Sequence, residues 1–479
     1  MCRSRQVVLF AAFLLISSTI GVAADRPTNL VLILTDNHGA WTLGCYGNPD
    51  IRTPNIDRLA AEGTLFERCY SSNAVCSPTR ATLLTGLMPS QHGVHCFLGG
   101  GNVQIGPKAY NTLEELRSLP EILADAGYVC GLTGKWHLGD NMRPQESFSY
   151  WITMPHGATS TFYDAQVIEN GEMRKEPQYL TDLWTDHAIR FIEQNKAKPF
   201  FLYLPYNGPY GLGKSLTLPA RNRHAEYYAD KELWSFPRGP VHPWLYHNRQ
   251  YINNIDAMRR YAAEVSGVDD GVGRVMDTLE QLGLDENTLV VFTGDQGLSG
   301  GQNHVWGMGD HSWPLHTFDS TMHVPLIYRE PGVIPAGVRS DILTSNYDIL
   351  PTVLSCLGMG DQMPKKPESP GRDYSAVFEG KKPSDWEDVV FYEFENCRTI
   401  RTNEWKYTMR RHPDGPTELY KIDDDPGELD NLACRPGFEE IQAELAKRVE
   451  EYFGKYSDPK YDLYNGGGSK SLLLTKRRK

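Results

Sequence analysis

Two stretches far apart in the chain, NLVLILTD (residues 29–36) and NTLVVFTGDQG (287–297), share one build: an unbroken apolar run that ends in an aspartate. A run without polar alternation belongs to a strand buried on both faces, and such strands occur in parallel sheets covered by helices. PFFLYLPY (199–206) repeats the pattern, and YVCGLTGKWHLG (128–139) runs from a strand into a glycine-flanked loop. The segments between have helical character. Pro54 to Gly63 opens on proline and closes on glycine, 119–128 and Leu180 to Glu193 read as helices, and Met258, Tyr261, Val265, Val268, Val272, Val275, Leu279 and Leu282 recur in steps of three and four before Gly283. Strands alternating with helices predict an α/β fold, a large and mostly parallel central sheet flanked by helices. Asp36, Lys135, Tyr210 and Asp295 each stand just beyond a predicted strand end. Ligands of open α/β sheets bind outside the carboxyl ends of the strands, so four separate clusters point to one crevice.

With 479 residues, 40% of them hydrophobic, the chain can bury a large core and hold more than one domain. Residues 1–24 read as a secretory signal peptide: Arg3 and Arg5, an apolar run from Val7 to Ile20, and a small-residue cleavage site ending at Ala24. The run is short of the roughly 20 residues a membrane span needs, and no later segment could cross a bilayer. The expected product is exported, periplasmic or secreted. Loss of Arg3 and Arg5 takes the formal net charge from −12 to about −14, which excludes nucleic acid as a natural partner and requires a local basic pocket for any anionic substrate. Of nine cysteines, Cys2 leaves with the signal. The other eight show neither CxxC pairs nor zinc spacing, against a metal cluster or a dense disulfide scaffold. The main α/β domain is expected over 25–358, a Pro/Gly-rich linker over 359–373, and a smaller α+β subdomain over 374–479. In the subdomain VVFYEF, WKYTMRR and TELYKI form a small sheet, a helix carries Phe438, Ile441, Leu445 and Val449, and the NGGGSKSLLLTKRRK tail is loosely held. Residues 207–246, rich in Pro, Gly, aromatics and charge, read as a surface excursion near the sheet edge.

The tips TDN (35–37) and GDQ (294–296) pair an aspartate with a side-chain amide. Singly, such tips are ordinary turn chemistry. Together at one sheet edge, the oxygen donors of Asp36, Asn37, Asp295 and Gln296 suit a hard cation such as Ca²⁺. Lys135 and His137 stand two apart in GKWHLG, so both can face the crevice if the segment is extended. CSPTRATLLTG (76–86) starts a helix at Cys76, with Arg80 one turn further on the same side and backbone N–H groups at the helix start, a setting for an anion.

Cys76-Ser77-Pro78-Thr79-Arg80 followed by Thr85-Gly86 resembles the maturation signature of the formylglycine-dependent type I sulfatases, members of the alkaline phosphatase superfamily. PNIDRLAAEGTLFERCY, PSQHGV, GKWHLG, NTLVVFTGDQG, HVPLIYREPG and LYKIDDDPGELDNLA resemble that family's segments in the family's order, over nearly all of the mature chain. The resemblance implies that a formylglycine-generating (sulfatase-maturating) enzyme acts on the chain during export and oxidises Cys76 to Cα-formylglycine. Its hydrated gem-diol is the nucleophile, Ca²⁺ lowers the nucleophile's pKa and neutralises the sulfate, and Cys76 itself joins the metal site. Arg80 and Lys135 clamp the sulfate, and His137 assists proton transfer when the gem-diol collapses to release it.

The chain departs from the family pattern in four places. Asn37 follows Asp36 where a second aspartate is usual, and Gln296 follows Asp295 where Asn or His is usual. Tyr210 follows Pro209 in place of histidine. The lysine upstream of the VPLI segment is missing, and His311 and His316 are candidates to replace it. Tyr210, His311 and His316 are therefore the expected substrate-binding residues. The expected activity is hydrolysis of a sulfate monoester, on a sulfated carbohydrate. The alternatives are an arylsulfatase, a phosphodiesterase or phosphonate hydrolase on the same scaffold, and a non-catalytic binder of sulfated glycans.

Overall fold

The computed structural model describes residues 27–99 and 101–477, so the expected signal peptide over 1–24 lies outside the described residues. The apolar runs form the middle of one sheet. Thr288–Gly294, Asn29–Asp36, Phe200–Pro209 and Val129–Gly134 lie side by side in that order, all parallel. Beyond Thr288–Gly294 the sheet continues antiparallel through Leu326–Arg329 to Thr64–Tyr70, with which Val338–Ser345 pairs in parallel. On the other side Val129–Gly134 pairs in parallel with Tyr150–Thr153, and a hairpin of Ala165–Glu169 and Glu172–Glu176 closes the edge. The expected large, mostly parallel sheet is present, with eleven strands in all among the described residues.

Burial explains the unbroken apolar runs. Leu30, Leu32 and Leu34 enter the core on one face of the sheet, where the helices Cys76–Thr85, Leu119–Asp125 and Ile349–Cys356 pack. Val31 and Ile33 enter the core on the other face, with Leu180–Asn195 and Ile255–Gln281. Neither face of these strands meets water. The longest helix starts where Asn254 accepts a hydrogen bond from the Ala257 N–H at 3.1 Å, and it gives way to Gly283 at φ +64°.

The C-terminal part builds the smaller antiparallel sheet, Val389–Phe394, Cys397–Thr402, Trp405–Arg410 and Glu418–Lys421, packed on the helix Glu439–Tyr456. Cys397–Thr402, absent from the sequence reading, is a central strand of it. Its polar spelling, CRTIRT, hides a strand whose charged groups are paired: Arg398 meets Glu393 and Asp462, and Arg401 meets Asp319. Leu445, Val449 and Phe453 of the helix share a core with Ile400, Tyr407 and Leu419, and with Met88 and Tyr347 of the larger part. One expectation is corrected here. Over its described residues the tail is not loosely held: Ser471, Leu473, Leu474 and Thr475 are buried, anchored by hydrogen bonds to residues 93–96 and to Glu395. All eight cysteines beyond Cys2 are free thiols.

Candidate active site

Because the four central strands are parallel and adjacent, their carboxyl ends deliver Asp295, Asp36, Tyr210 and Lys135 to one place. The helix Cys76–Thr85 starts there, and all ten of its residues are buried. A helix buried on every side has no solvent stripe, which is why CSPTRATLLT shows almost no amphipathic pattern. The Cys76 thiol donates to Asp36 Oδ1 at 3.3 Å. One turn on, Arg80 grips Asp295 Oδ2 through Nε at 3.0 Å and through a terminal nitrogen at 2.8 Å, and its other nitrogen reaches the Lys135 carbonyl at 2.5 Å. Lys135 Nζ pairs with Asp36 Oδ2 and lies over the Tyr210 ring, 5.5 Å from its centre. The formal charges of Asp36, Asp295, Arg80 and Lys135 cancel.

Burial sets the ionisation here. Desolvation, helped by Asp36, pushes the Cys76 thiol far above its ordinary range, so it stays protonated and is a poor nucleophile as cysteine. Desolvation and the neighbouring Asp36 push Asp295 up to about 6, against the pull of Arg80 and Lys135. His137 is held neutral by burial and by the nearby cations Lys135 and Arg80. Its Nε2 lies 3.2 Å from the Leu98 carbonyl, and its Nδ1 is buried without a partner. Its backbone stands at φ +61°, with the carbonyl held by Ser77 Oγ at 2.9 Å. Gly157 passes so close that an added Cβ would lie 2.0 Å from the imidazole.

Asp36, Cys76 and Asp295 offer ligand atoms that all lie within 4.8 Å of one another, all buried. Asn37 ties its amide nitrogen to the Tyr210 carbonyl at 2.8 Å, which leaves its oxygen turned inward to Gln296 Nε2. That nitrogen is ringed by acceptors: besides Asn37 Oδ1 it meets Cys76 Sγ at 3.2 Å and Asp36 Oδ1 at 3.5 Å, while Gln296 Oε1 is buried with no partner. An amide can turn its oxygen to where its nitrogen stands. Asp36, Asn37, Asp295 and Gln296 then present an all-oxygen donor set, the chemistry Ca²⁺ prefers. The residues fit the ion, and its two positive charges would be balanced by a sulfate monoester and an ionised oxygen nucleophile.

Above this cluster opens a cavity of about 770 Å³ with Cys76 in its lining. His137, Tyr210 and His311 line it as well, so three more of the expected site residues meet there. His316 does not: it is buried, its Nδ1 2.7 Å from Ser312 Oγ and its ring stacked on Phe318. The 309–312 turn places His311 on the cavity, while His316 lies outside its lining. His156, Lys214, His247 and Asp310 also line the cavity and were not singled out by the sequence. Lys214 lies in the excursion and His247 follows it directly, so proximity to the sheet edge was their one signal.

No helix among the described residues is long and apolar enough to cross a membrane. The sulfatase family model matches residues 28–359, and that of the N-sulphoglucosamine sulphohydrolase C-terminal region matches 309–455. N-acetylglucosamine-6-O-sulfatase of Bacteroides thetaiotaomicron is 27% identical over 90% of this chain and 87% of its own. N-acetylgalactosamine-6-sulfatase of Canis lupus familiaris is 30% identical over 82% of this chain and 74% of its own. Among solved structures, one in complex with its substrate D-glucosamine-2-N,6-O-disulfate superposes with a TM-score of 0.70 at 26% identity, covering 90% of this chain and 98% of that one. With the family model spanning most of the chain and the buried aspartate–cysteine–aspartate cluster in place beneath a cavity, the chain belongs to the formylglycine-dependent sulfatases of the alkaline phosphatase superfamily.

Proposed function

We propose that this sulfatase is exported and removes sulfate from a sulfated carbohydrate, with Cys76 matured to formylglycine and Ca²⁺ held by Asp36, Asn37, Asp295, Gln296 and the matured residue 76. The carrying observation is the charge-balanced cluster of Asp36, Asp295, Arg80 and Lys135 around Cys76, beneath a cavity wide enough for a sugar. The carbohydrate assignment is supported by relatives named for N-acetylglucosamine and N-acetylgalactosamine sulfates. Export is supported by the signal-like first 24 residues, and maturation on the way by a formylglycine-generating enzyme is supported by the Cys-x-Pro-x-Arg signature.

In this reading the Cys76 sulfur marks where the oxygens of the hydrated aldehyde stand. When bound, calcium supplies positive charge that acidifies that hydrate and neutralises the sulfate. Arg80, locked by Asp295 and the Lys135 carbonyl, has N–H groups to spare for sulfate oxygens, and its planar fork is pre-set before substrate arrives. Lys135 adds a second cation, oriented by Asp36 and by the Tyr210 face. His137, neutral with a free Nδ1, is able to accept a proton at that atom. Tyr210 and His311 contact the group beyond the sulfate.

Peptide mass spectrometry across Cys76, after expression with a maturating enzyme, tests the nucleophile: loss of the thiol and gain of an aldehyde is expected, and an unmodified thiol would sink the mechanism. A panel of sulfate and phosphate esters tests the reaction, since the phosphonate monoester hydrolase of Agrobacterium radiobacter shares the fold at 21% identity and a TM-score of 0.68. Preference for sulfate monoesters of amino sugars is expected, and preference for phosphodiesters would overturn the assignment.

A further inference from the structure

Residues 470–475 cross back to the catalytic cavity. Lys470 N–H donates to the Gly93 carbonyl at 2.7 Å, and its side chain pairs with Glu115 at 2.7 Å. Ser471 Oγ accepts from the backbone N–H groups of His95 at 3.2 Å and Cys96 at 2.9 Å. The buried carboxylate of Glu395 then accepts from the N–H groups of both Leu474 and Thr475, each at 2.9 Å. Glu395 stands at φ +46° in the tight turn between the paired strand ends Phe394 and Cys397, so the small sheet presents it to the tail. The consequence is that Leu474 joins Cys76, Phe97 and Leu98 in lining the cavity.

We propose that the C-terminal tail is a specificity element of the active site: Leu474, positioned by Glu395, forms an apolar wall that the group carrying the sulfate must fit. The inference rests on the sulfatase reading. Sulfate must lie against residue 76, so whatever extends from it into the cavity meets the walls. Phe97, Leu98 and Leu474 are apolar, whereas Lys214, Asp310 and His311 are polar. A lining of both kinds matches a sugar, whose ring has an apolar C–H face and a hydroxyl-bearing rim. A small planar leaving group would fill less of it.

The test compares kcat and KM for N-acetylglucosamine 6-sulfate, the sugar type of the 27%-identical relative, and for para-nitrophenyl sulfate, in matured wild type, Leu474→Ala and Glu395→Ala. Leu474→Ala is expected to raise KM for the sugar sulfate about 10-fold relative to its effect on KM for the aryl sulfate. Glu395→Ala, which frees the tail without touching the cavity, is expected to shift the same ratio in the same direction. Leu474→Trp, which narrows the cavity, should weaken calorimetric binding of the sugar sulfate to the protein. An unchanged ratio between the two substrates in all variants, with wild type active, overturns the tail's role and leaves the sulfatase reading intact. A matured wild type that neither binds nor hydrolyses either ester overturns the sulfatase reading, and the tail's role with it.

Discussion

Cys76 shows how surroundings assign chemistry to a residue. Its thiol is buried against a carboxylate and stays protonated, so a cysteine nucleophile is disfavoured by the same burial that suits an oxidised side chain fixed in one place. Cys76→Ser, which keeps the size but removes the maturation substrate, should lower sulfatase kcat on the order of 10³-fold or more with an unchanged circular dichroism spectrum. Arg80 is gripped at three nitrogens. Arg80→Lys keeps the charge but loses the fork, and should cost on the order of 10²-fold in kcat in steady-state assays. Calcium added to chelator-treated protein should raise Tm, by about 2.7 kcal/mol of stabilisation at a hundredfold excess over Kd. Asp36, Asp295, Cys76, Arg80, Lys135 and His137 were legible because their chemistry is spelled out at strand and helix ends. His156, Lys214, His247 and Asp310 were not, because cavity position follows from how irregular loops pack, which no local spacing encodes.

The long helix Ile255–Gln281 carries two buried acids on its otherwise apolar face. Asp269 accepts from the N–H groups of Asn55 at 3.0 Å and Ile56 at 2.7 Å, capping the helix Pro54–Ala61 from outside. Burial nonetheless pushes it up to about 6. Glu264 takes a hydrogen bond from the Tyr179 hydroxyl, and burial pushes it up to about 8 from an ordinary 4.5. A carboxyl whose pKa is raised on folding binds its proton more tightly in the folded state. Its contribution is therefore greatest below pH 4.5 and is lost as pH rises through 8. Glu264→Gln should flatten that fall, which is at most about 1.4 kcal/mol per pH unit, in urea titrations run at several pH values. A slope unchanged by the substitution would refute the assignment. The periodicity of the helix was readable in sequence, but no local pattern marks Glu264 and Asp269 as buried; the Pro54–Ala61 helix and Tyr179 packed on them do.

Across the whole molecule, the small sheet is joined to the large one by buried charge as well as apolar packing. Lys406 pairs with Asp319 at 2.9 Å and with Glu428 at 2.5 Å, and Arg401 meets Asp319 at 3.1 Å. Burial alone would raise Asp319, but Lys406 and Arg401 hold it well below the usual carboxylate range. Lys406→Met leaves two carboxylates buried around one cation, and should destabilise the protein by about 3–5 kcal/mol in chemical denaturation. Lys406→Arg should recover part of that loss.

The sequence by itself determined the sheet and its chemistry-bearing edge. Strands buried on both faces must be continuously apolar, and a parallel order forces their aspartates, lysine and tyrosine to one end. The Cys76–Arg80 pair followed from the helical repeat alone. Only the tertiary structure decided what lies around that edge. It turned His316 away and His311 in, paired the charges of CRTIRT into a central strand, and brought Leu474 from the chain end to the cavity beside Cys76. The tail's course depends on contacts between residues 79 to 376 positions apart, where a buried carboxylate such as Glu395 fixes what no local pattern can specify.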